Sequence, residues 1–306
     1  MPELPEVEHL RRSLEPAIIG ARCVSVSIRR KSVITLADGS ARNDAAYQHA
    51  LLVGSTIHAT HRRGKQMAIE SSRATGGRVL VVQLGMTGGV TVEQSAEQSA
   101  AVRGMSARHR HVVWEIEPPN APRGTRWKLA FRDPRRFGGL TAYPSLEALL
   151  AAWAELGPDA LDIQPKRLIQ ALAKSRRPIK AALLDQSVIA GVGNIYADES
   201  LFAAGIHPLR EGAGLSSPEV TLLATELRRI LSHAVAAGGS TLRDYKDAFG
   251  KAGTAVQVHA VYGREGHPCT RCSAPLLGIR LQGRATVFCQ SCQDLSTRPT
   301  ALSRPR

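Results

Sequence analysis

The chain has 306 residues, 43% of them hydrophobic, and sets 40 Lys and Arg against 26 Asp and Glu for a formal net charge of +14. That apolar content supports a folded core rather than a disordered tail, and no apolar run approaches the roughly 18 residues a membrane-spanning helix needs. So large a positive excess favours a polyanionic partner, and no strongly basic amphipathic helix points to a membrane surface instead.

The first stretch, "MPELPEVEHLRRSLE", lacks the basic start and apolar centre of a secretion signal, so the protein is expected in the cytoplasm. Val7, Leu10 and Leu14 recur at helical spacing. Pro2 has two readings. It can sit in the first turn of that helix, with Glu3 and Glu6 complementing the dipole. Alternatively, once Met1 is removed, it carries a free secondary amine that can act as a nucleophile.

Eight short β-branched segments follow before residue 135: "CVSVSIRR", "SVITL", "STIHATHRR", "KQMAIES", "RVLVVQLG", "GVTVE", "HVVWEIE" and "WKLAFRD". Bounded by Gly, Pro or charge, they predict an antiparallel sandwich or barrel, with Cys23 as a core thiol. Residues 93–107, polar and small, read as a long mobile loop. From about 145 the period turns helical: "SLEALLAAWAEL", "PKRLIQALAKS", "PIKAALLDQ", "NIYADESLFAAG" and "SPEVTLLATELRRILSHAVAAGG", the last with a capping box at Ser216 and Glu219. Basic clusters at "RRGK" (62–65), "RHRH" (108–111, including His109), "DPRRF" (133–137) and "KSRRPIK" (174–180) fit phosphate contacts along a groove.

Four of the five cysteines lie near the C-terminus. Cys269-x2-Cys272-x16-Cys289-x2-Cys292 has the spacing of a four-cysteine zinc ribbon, a unit too small to fold without its metal. Between the pairs, "LLGIRLQGRATVF" alternates around Gln282-Gly283, which predicts a hairpin with Arg284 at its turn. Upstream, Gly191 and Gly193 precede a helix that ends at a glycine turn, as in helix-turn-helix modules. Asn194 can cap that helix or present its amide to a phosphate.

"MPELPEVE", "RRGK", "QLGMTG", "DPRRFGG", "LGPDAL", "GVGNIYADESLFAAGIHP", "GGST", "VYGREGHPC" and "QGRATVFCQSCQ" occur in that order along the whole chain. In this it resembles the family that contains formamidopyrimidine-DNA glycosylase and endonuclease VIII, and "PELPE" favours the oxidised-purine branch. The resemblance implies an α+β multidomain fold. An N-terminal β-sandwich with its opening helix would span 1–144 and a helical helix-two-turn-helix domain 145–246. The lesion-loop segment with a zinc-ribbon hairpin would span 247–293, and a flexible tail 294–306.

It also implies a monomeric, bifunctional DNA glycosylase/AP lyase acting on damaged double-stranded DNA, with one structural Zn(2+) per chain and no nucleotide cofactor. Pro2 would attack C1′ and form a Schiff base, favoured because an α-amine has a pKa of roughly 8 against roughly 10.4 for lysine. Glu3 would act as general acid/base and Glu6 as a supporting carboxylate. Lys65, Asn194 and Arg284 would hold phosphates, and Met86, Arg135 and Phe137 would fill the space left by the everted base. Gln83 stands where the family usually has a histidine. The alternatives are an endonuclease VIII-like enzyme for oxidised pyrimidines and a non-catalytic zinc-dependent DNA-binding protein.

Overall fold

The computed structural model describes residues 2–40, 43–74, 76–94, 109–239, 247–250 and 259–295. The loop expected at 93–107, the centre of the lesion-loop segment and the C-terminal tail lie almost wholly outside these residues. The chain divides into two compact units, Met1–Leu156 with Ser232–Gln257, and Gly157–Leu231 with Val258–Arg306.

In the first unit, helix α1 (Leu4–Ile18) is followed by β1 (Arg22–Ile28), β2 (Ile34–Leu36), α2 (Asp44–Ala50), β3 (Thr56–Arg63) and β4 (Gln66–Ser72). Strands β5 (Arg78–Gln83), β6 (Gly89–Glu93), β7 (Arg110–Glu117), β8 (Trp127–Arg132) and β9 (Gly139–Tyr143) lead to α3 (Leu146–Trp153). The strands form one sheet in the order β2-β9-β5-β4-β3-β1-β7-β8-β6. Its two wings meet where β1 pairs with β3 at the single register position Arg22↔Thr56. One core draws on both wings, with Ile57, Met67, Ile69, Leu80 and Val82 from one side, and Cys23, Val90, Val112, Trp114 and Phe131 from the other. Leu10, Leu14 and Ile18 of α1 pack into this core, as their spacing requires.

All eight expected segments contain strands, although Ser32 and Val33 of "SVITL" form a 3-10 turn (Lys31–Val33) ahead of β2. Two elements differ from the sequence reading. "GLTAY" forms β9, which inserts between β2 and β5, and it pairs with β2 in parallel, so the sheet is not wholly antiparallel. Helix α2 also lies in a stretch with no evident periodicity. It is started by Asn43, whose side chain accepts the Ala46 N–H at 2.8 Å. Cys23 is 1% exposed, and burial pushes its thiol up to about 12.

The second unit holds α4 (Pro165–Leu172), α5 (Ile179–Leu184), α6 (Asn194–Ala203) and the hairpin β10 (Leu277–Leu281) and β11 (Arg284–Phe288). A long helix, α7 (Ser217–Ala236), begins in it. Half of the expected capping box starts α7: the Ser216 N–H donates to Glu219 Oε2 at 2.8 Å, while the Ser216 hydroxyl donates to the same oxygen. Among the described residues no helix is long and apolar enough to cross a membrane.

Candidate active site and nucleic-acid interface

Helix α1 starts at Leu4 with Pro5 in its first turn, so the helix-starting role falls to Pro5 and leaves Pro2 ahead of the N-cap. Glu3 is that N-cap, joined to Glu6 in a capping box in which the Glu3 N–H donates to Glu6 Oε2 at 2.7 Å. Glu3 is 1% exposed and Glu6 2%, whereas Pro2 is half-buried. Two carboxylates are therefore held under the chain terminus by the start of the helix. Gly239, with φ +86°, lies directly against Glu6: a Cβ there would stand 3.1 Å from Glu6 Oε1.

Lys65 occupies the two-residue turn between β3 and β4, where Arg63 pairs with Gln66. Gly64 supplies the positive φ of 54° that such a turn needs at its first position. The turn is tied to α1 through Arg62, whose Nε donates to Glu8 Oε2 at 3.0 Å and whose Nη1 donates to the Gly64 carbonyl at 3.0 Å. Glu8 also accepts from Arg11 and Arg12. Burial works to raise its carboxyl, yet these guanidinium contacts outweigh it and hold it at about 2. The helix that presents Pro2 and the turn that presents Lys65 thus share one ionic anchor.

A second knot gathers Met86, Arg135 and Phe137. Asp133, fully buried, accepts from the Thr87 hydroxyl at 2.6 Å through Oδ1 and from the Gly138 N–H at 2.7 Å through Oδ2. The Arg135 N–H donates to both Thr87 Oγ1 and Asp133 Oδ1 at 3.2 Å. The two loops touch so closely that a Cβ on Gly85 would lie 2.4 Å from Phe137 C, which explains the glycines of "QLGMTG" and "FGG". Phe137 is left 63% exposed with the Arg135 guanidinium 5.1 Å from its ring centroid, an apolar and cationic pair held out towards solvent. Gln83, at the end of β5, is exposed, and His109 is half-buried with its carbonyl accepting the Asp133 N–H.

In the second unit Gly193, not Asn194, is the N-cap of α6. Asn194 is the first helical residue, and its amide donates to the Ala285 carbonyl at 2.9 Å. It therefore adjoins Arg284, which follows the Gln282-Gly283 turn, where φ values of 48° and 74° are those of a type I′ hairpin. Lys180, fully buried, pairs with Asp198 at 2.7 Å and donates to Thr286 Oγ1 at 2.7 Å and the Ala285 carbonyl at 3.0 Å. Burial pushes the Asp198 carboxyl up to about 6, against the pull of the neighbouring Lys180. This ion pair fixes the hairpin to α5 and α6.

Not every basic cluster faces a polyanion. Arg62 and Lys180 are turned inward onto Glu8 and Asp198, and Arg110 pairs with Glu93. Sequence reasoning read Arg62, Asp133 and Lys180 as parts of phosphate-contacting clusters and passed over Asp198, whereas all four hold candidate residues in place.

The four thiolate positions, Cys269, Cys272, Cys289 and Cys292, all lie within 4.8 Å of one another. The Cys269–Cys292 and Cys272–Cys289 sulfur distances are 3.9 and 3.5 Å, close to the about 3.8 Å edge of a tetrahedron with metal–sulfur bonds of about 2.3 Å. Burial disfavours the Cys269, Cys289 and Cys292 thiolates; the amides of Arg271 and Cys272 outweigh it at Cys269 and lower that thiol, while Cys289 and Cys292 are raised. The donor set fits a metal ion.

Two family signatures match the chain. One, described as "Formamidopyrimidine-DNA glycosylase N-terminal domain", covers residues 1–140, and the other, "Formamidopyrimidine-DNA glycosylase H2TH domain", covers 156–246. The formamidopyrimidine-DNA glycosylase of Thermomicrobium roseum is 38% identical over 96% of this chain and 100% of its own length. That of Shewanella piezotolerans is 35% identical with the same coverage. Among solved structures, the MutM (Fpg) protein of Thermus thermophilus is 37% identical with a TM-score of 0.76, over 95% of this chain and 98% of its own. The Lactococcus lactis Fpg in complex with abasic-site DNA is 30% identical with a TM-score of 0.79, over 96% and 100%. A sheet domain opened by a helix, a helix-two-turn-helix segment and a four-cysteine hairpin define the architecture of a DNA glycosylase. The chain belongs to the formamidopyrimidine-DNA glycosylase family.

Proposed function

We propose that this chain is a bifunctional DNA glycosylase/AP lyase of base excision repair that removes 8-oxoguanine and formamidopyrimidines from damaged double-stranded DNA. The observation that carries the reading is the placement of Pro2 outside α1 and directly ahead of the buried pair Glu3 and Glu6. With Met1 removed, the Pro2 nitrogen attacks C1′ and the bond from C1′ to the base breaks. Glu3 moves protons at the sugar, and Glu6 holds the Glu3 backbone through the capping box. The resulting iminium accepts electrons as a C2′ proton leaves. The 3′ phosphate is expelled first and the 5′ phosphate after it, which completes β,δ-elimination.

Lys65, Asn194 and Arg284 contact phosphates, with Gln83 and His109 as further DNA contacts. Met86, Arg135 and Phe137 occupy the space of the everted base, the guanidinium pairing with the orphaned cytosine. One zinc ion, held by Cys269, Cys272, Cys289 and Cys292, has a structural role. It supplies the cross-link that lets so small a module fold. The protein acts as a monomer on DNA in the cytoplasm and nucleoid.

The lesion class is tested by single-turnover excision from matched duplexes carrying 8-oxoguanine or an oxidised pyrimidine. Faster release of 8-oxoguanine is expected, and a preference for the pyrimidine would reassign the chain to endonuclease VIII-like chemistry. Arg284→Ala should reduce the slope of log K against log salt by about one, the share of a single phosphate. An unchanged slope in fluorescence-anisotropy titrations would take Arg284 off the backbone.

A further inference from the structure

Strand β6 ends the sheet, and an end strand offers N–H and C=O groups along its outer side. Ala248 takes up part of that side: its carbonyl accepts the Val92 N–H at 2.7 Å. Its own N–H donates to the Ser13 hydroxyl of α1 at 3.2 Å. That hydroxyl donates in turn to the Leu10 carbonyl at 2.9 Å, which orients it to accept from Ala248. Ala248 is fully buried in the core that α1 shares with the sheet, and Phe249 packs against the same core. The Phe249 N–H donates to Asp247 Oδ1 at 2.9 Å. Gly250, at φ +81°, ends the turn with its N–H on the Asp247 carbonyl at 3.1 Å. Residues 247–250 thus form a compact turn pinned to α1 and β6 through both backbone groups of Ala248.

The helix that receives this turn is the one that presents Pro2. Glu6 and Ser13 are seven residues apart, two turns along one face of α1 and about 10 Å along its axis. Gly239 lies against Glu6 and Ala248 against Ser13, so the chain that follows α7 meets that face twice.

We propose that Ser13 is a positioning residue for recognition of the damaged base. It acts through Ala248, fixing the start of the lesion-loop segment on the helix that carries the nucleophile. This role rests on the proposed glycosylase function and sharpens it: a segment that contacts the everted base is needed for a substrate that has one. An abasic site offers only its sugar and phosphates. Without the Ser13 hydroxyl, the Ala248 N–H is buried with no acceptor, and rearrangement of the turn relieves that cost. Helix α1 keeps its place, held in the core by Leu10, Leu14 and Ile18.

The test uses the full zinc-loaded chain with Ser13→Ala and Ser13→Thr. In Ser13→Ala, single-turnover excision of 8-oxoguanine should slow at least about fivefold, the share of one buried hydrogen bond. Cleavage of a preformed abasic site should keep the parent rate. Ser13→Thr retains a hydroxyl that can bond the Leu10 carbonyl and should restore excision. Hydrogen exchange at the Ala248 amide should quicken about tenfold in Ser13→Ala and return to the parent rate in Ser13→Thr. The exchange arm needs no substrate, so failure of the anchor is read separately from failure of the glycosylase function. Equal loss on both substrates, unchanged excision, no rescue by threonine, or unchanged protection of Ala248 would overturn the role of Ser13.

Discussion

Glu3→Gln is expected to excise 8-oxoguanine at least about 100-fold more slowly than the parent while binding an abasic duplex with the same affinity. Glutamine keeps the length and an acceptor oxygen, so the capping box with Glu6 survives and α1 still begins at Leu4. What the substitution removes is the exchangeable proton of a carboxyl group. Because the residue is 1% exposed, bulk water has poor access to replace that group at the sugar. The loss should therefore fall on the chemical step and not on binding. Single-turnover excision kinetics beside anisotropy binding separate the two, and an excision rate near that of the parent would remove Glu3 from catalysis.

Replacing Cys269, Cys272, Cys289 and Cys292 with serine is expected to abolish both zinc content and DNA binding. The module around them has a small apolar centre, built from Val261, Leu276 and Val287 with Phe202 of α6. A centre of this size does not hold a chain folded without a cross-link. Other contacts anchor its margins: Glu199 accepts the N–H groups of Ala260, Val261 and Tyr262, and Arg271 bonds to the last carbonyls of α6. These contacts fasten a folded hairpin at its margins but do not cross-link the four cysteines at its centre. With the hairpin lost, Arg284 has no defined position. Elemental analysis showing one zinc per parent chain and none in the variant is the expected result. Normal DNA binding by a zinc-free chain would refute the structural role.

Much of this was legible because the relevant physics is local. Alternation along "CVSVSIRR" or "RVLVVQLG" reports a pleated strand without knowledge of its partner, and Gln282-Gly283 can turn only where positive φ is tolerated. Cysteine spacing carries its own geometry. Partnership across long separations was not legible. Arg62 and Lys180 looked like phosphate contacts because a guanidinium or ammonium shows charge but not direction, and their acids, Glu8 and Asp198, are distant in sequence. Asp133 sat inside a basic cluster and gave no sign that it ties two loops together. β9 was hidden because it opens on the second glycine of Gly138-Gly139 and gains its place from β2 and β5. The contact of both His58 and His61 with Glu70 depends on a bulge, which breaks the very alternation by which strands are read.

The central claim, that the N-terminal proline is the nucleophile, is tested most directly by borohydride trapping on a duplex containing 8-oxoguanine, followed by peptide mapping of the adduct. Reduction of the iminium should leave enzyme covalently attached to DNA through the Pro2 nitrogen. A preparation that retains Met1 ahead of Pro2 supplies the control, because its Pro2 nitrogen is an amide with no nucleophilic lone pair. That preparation should bind lesion DNA and form no trapped complex. An adduct on Lys65, or equal trapping of the Met1-retaining form, would contradict the account.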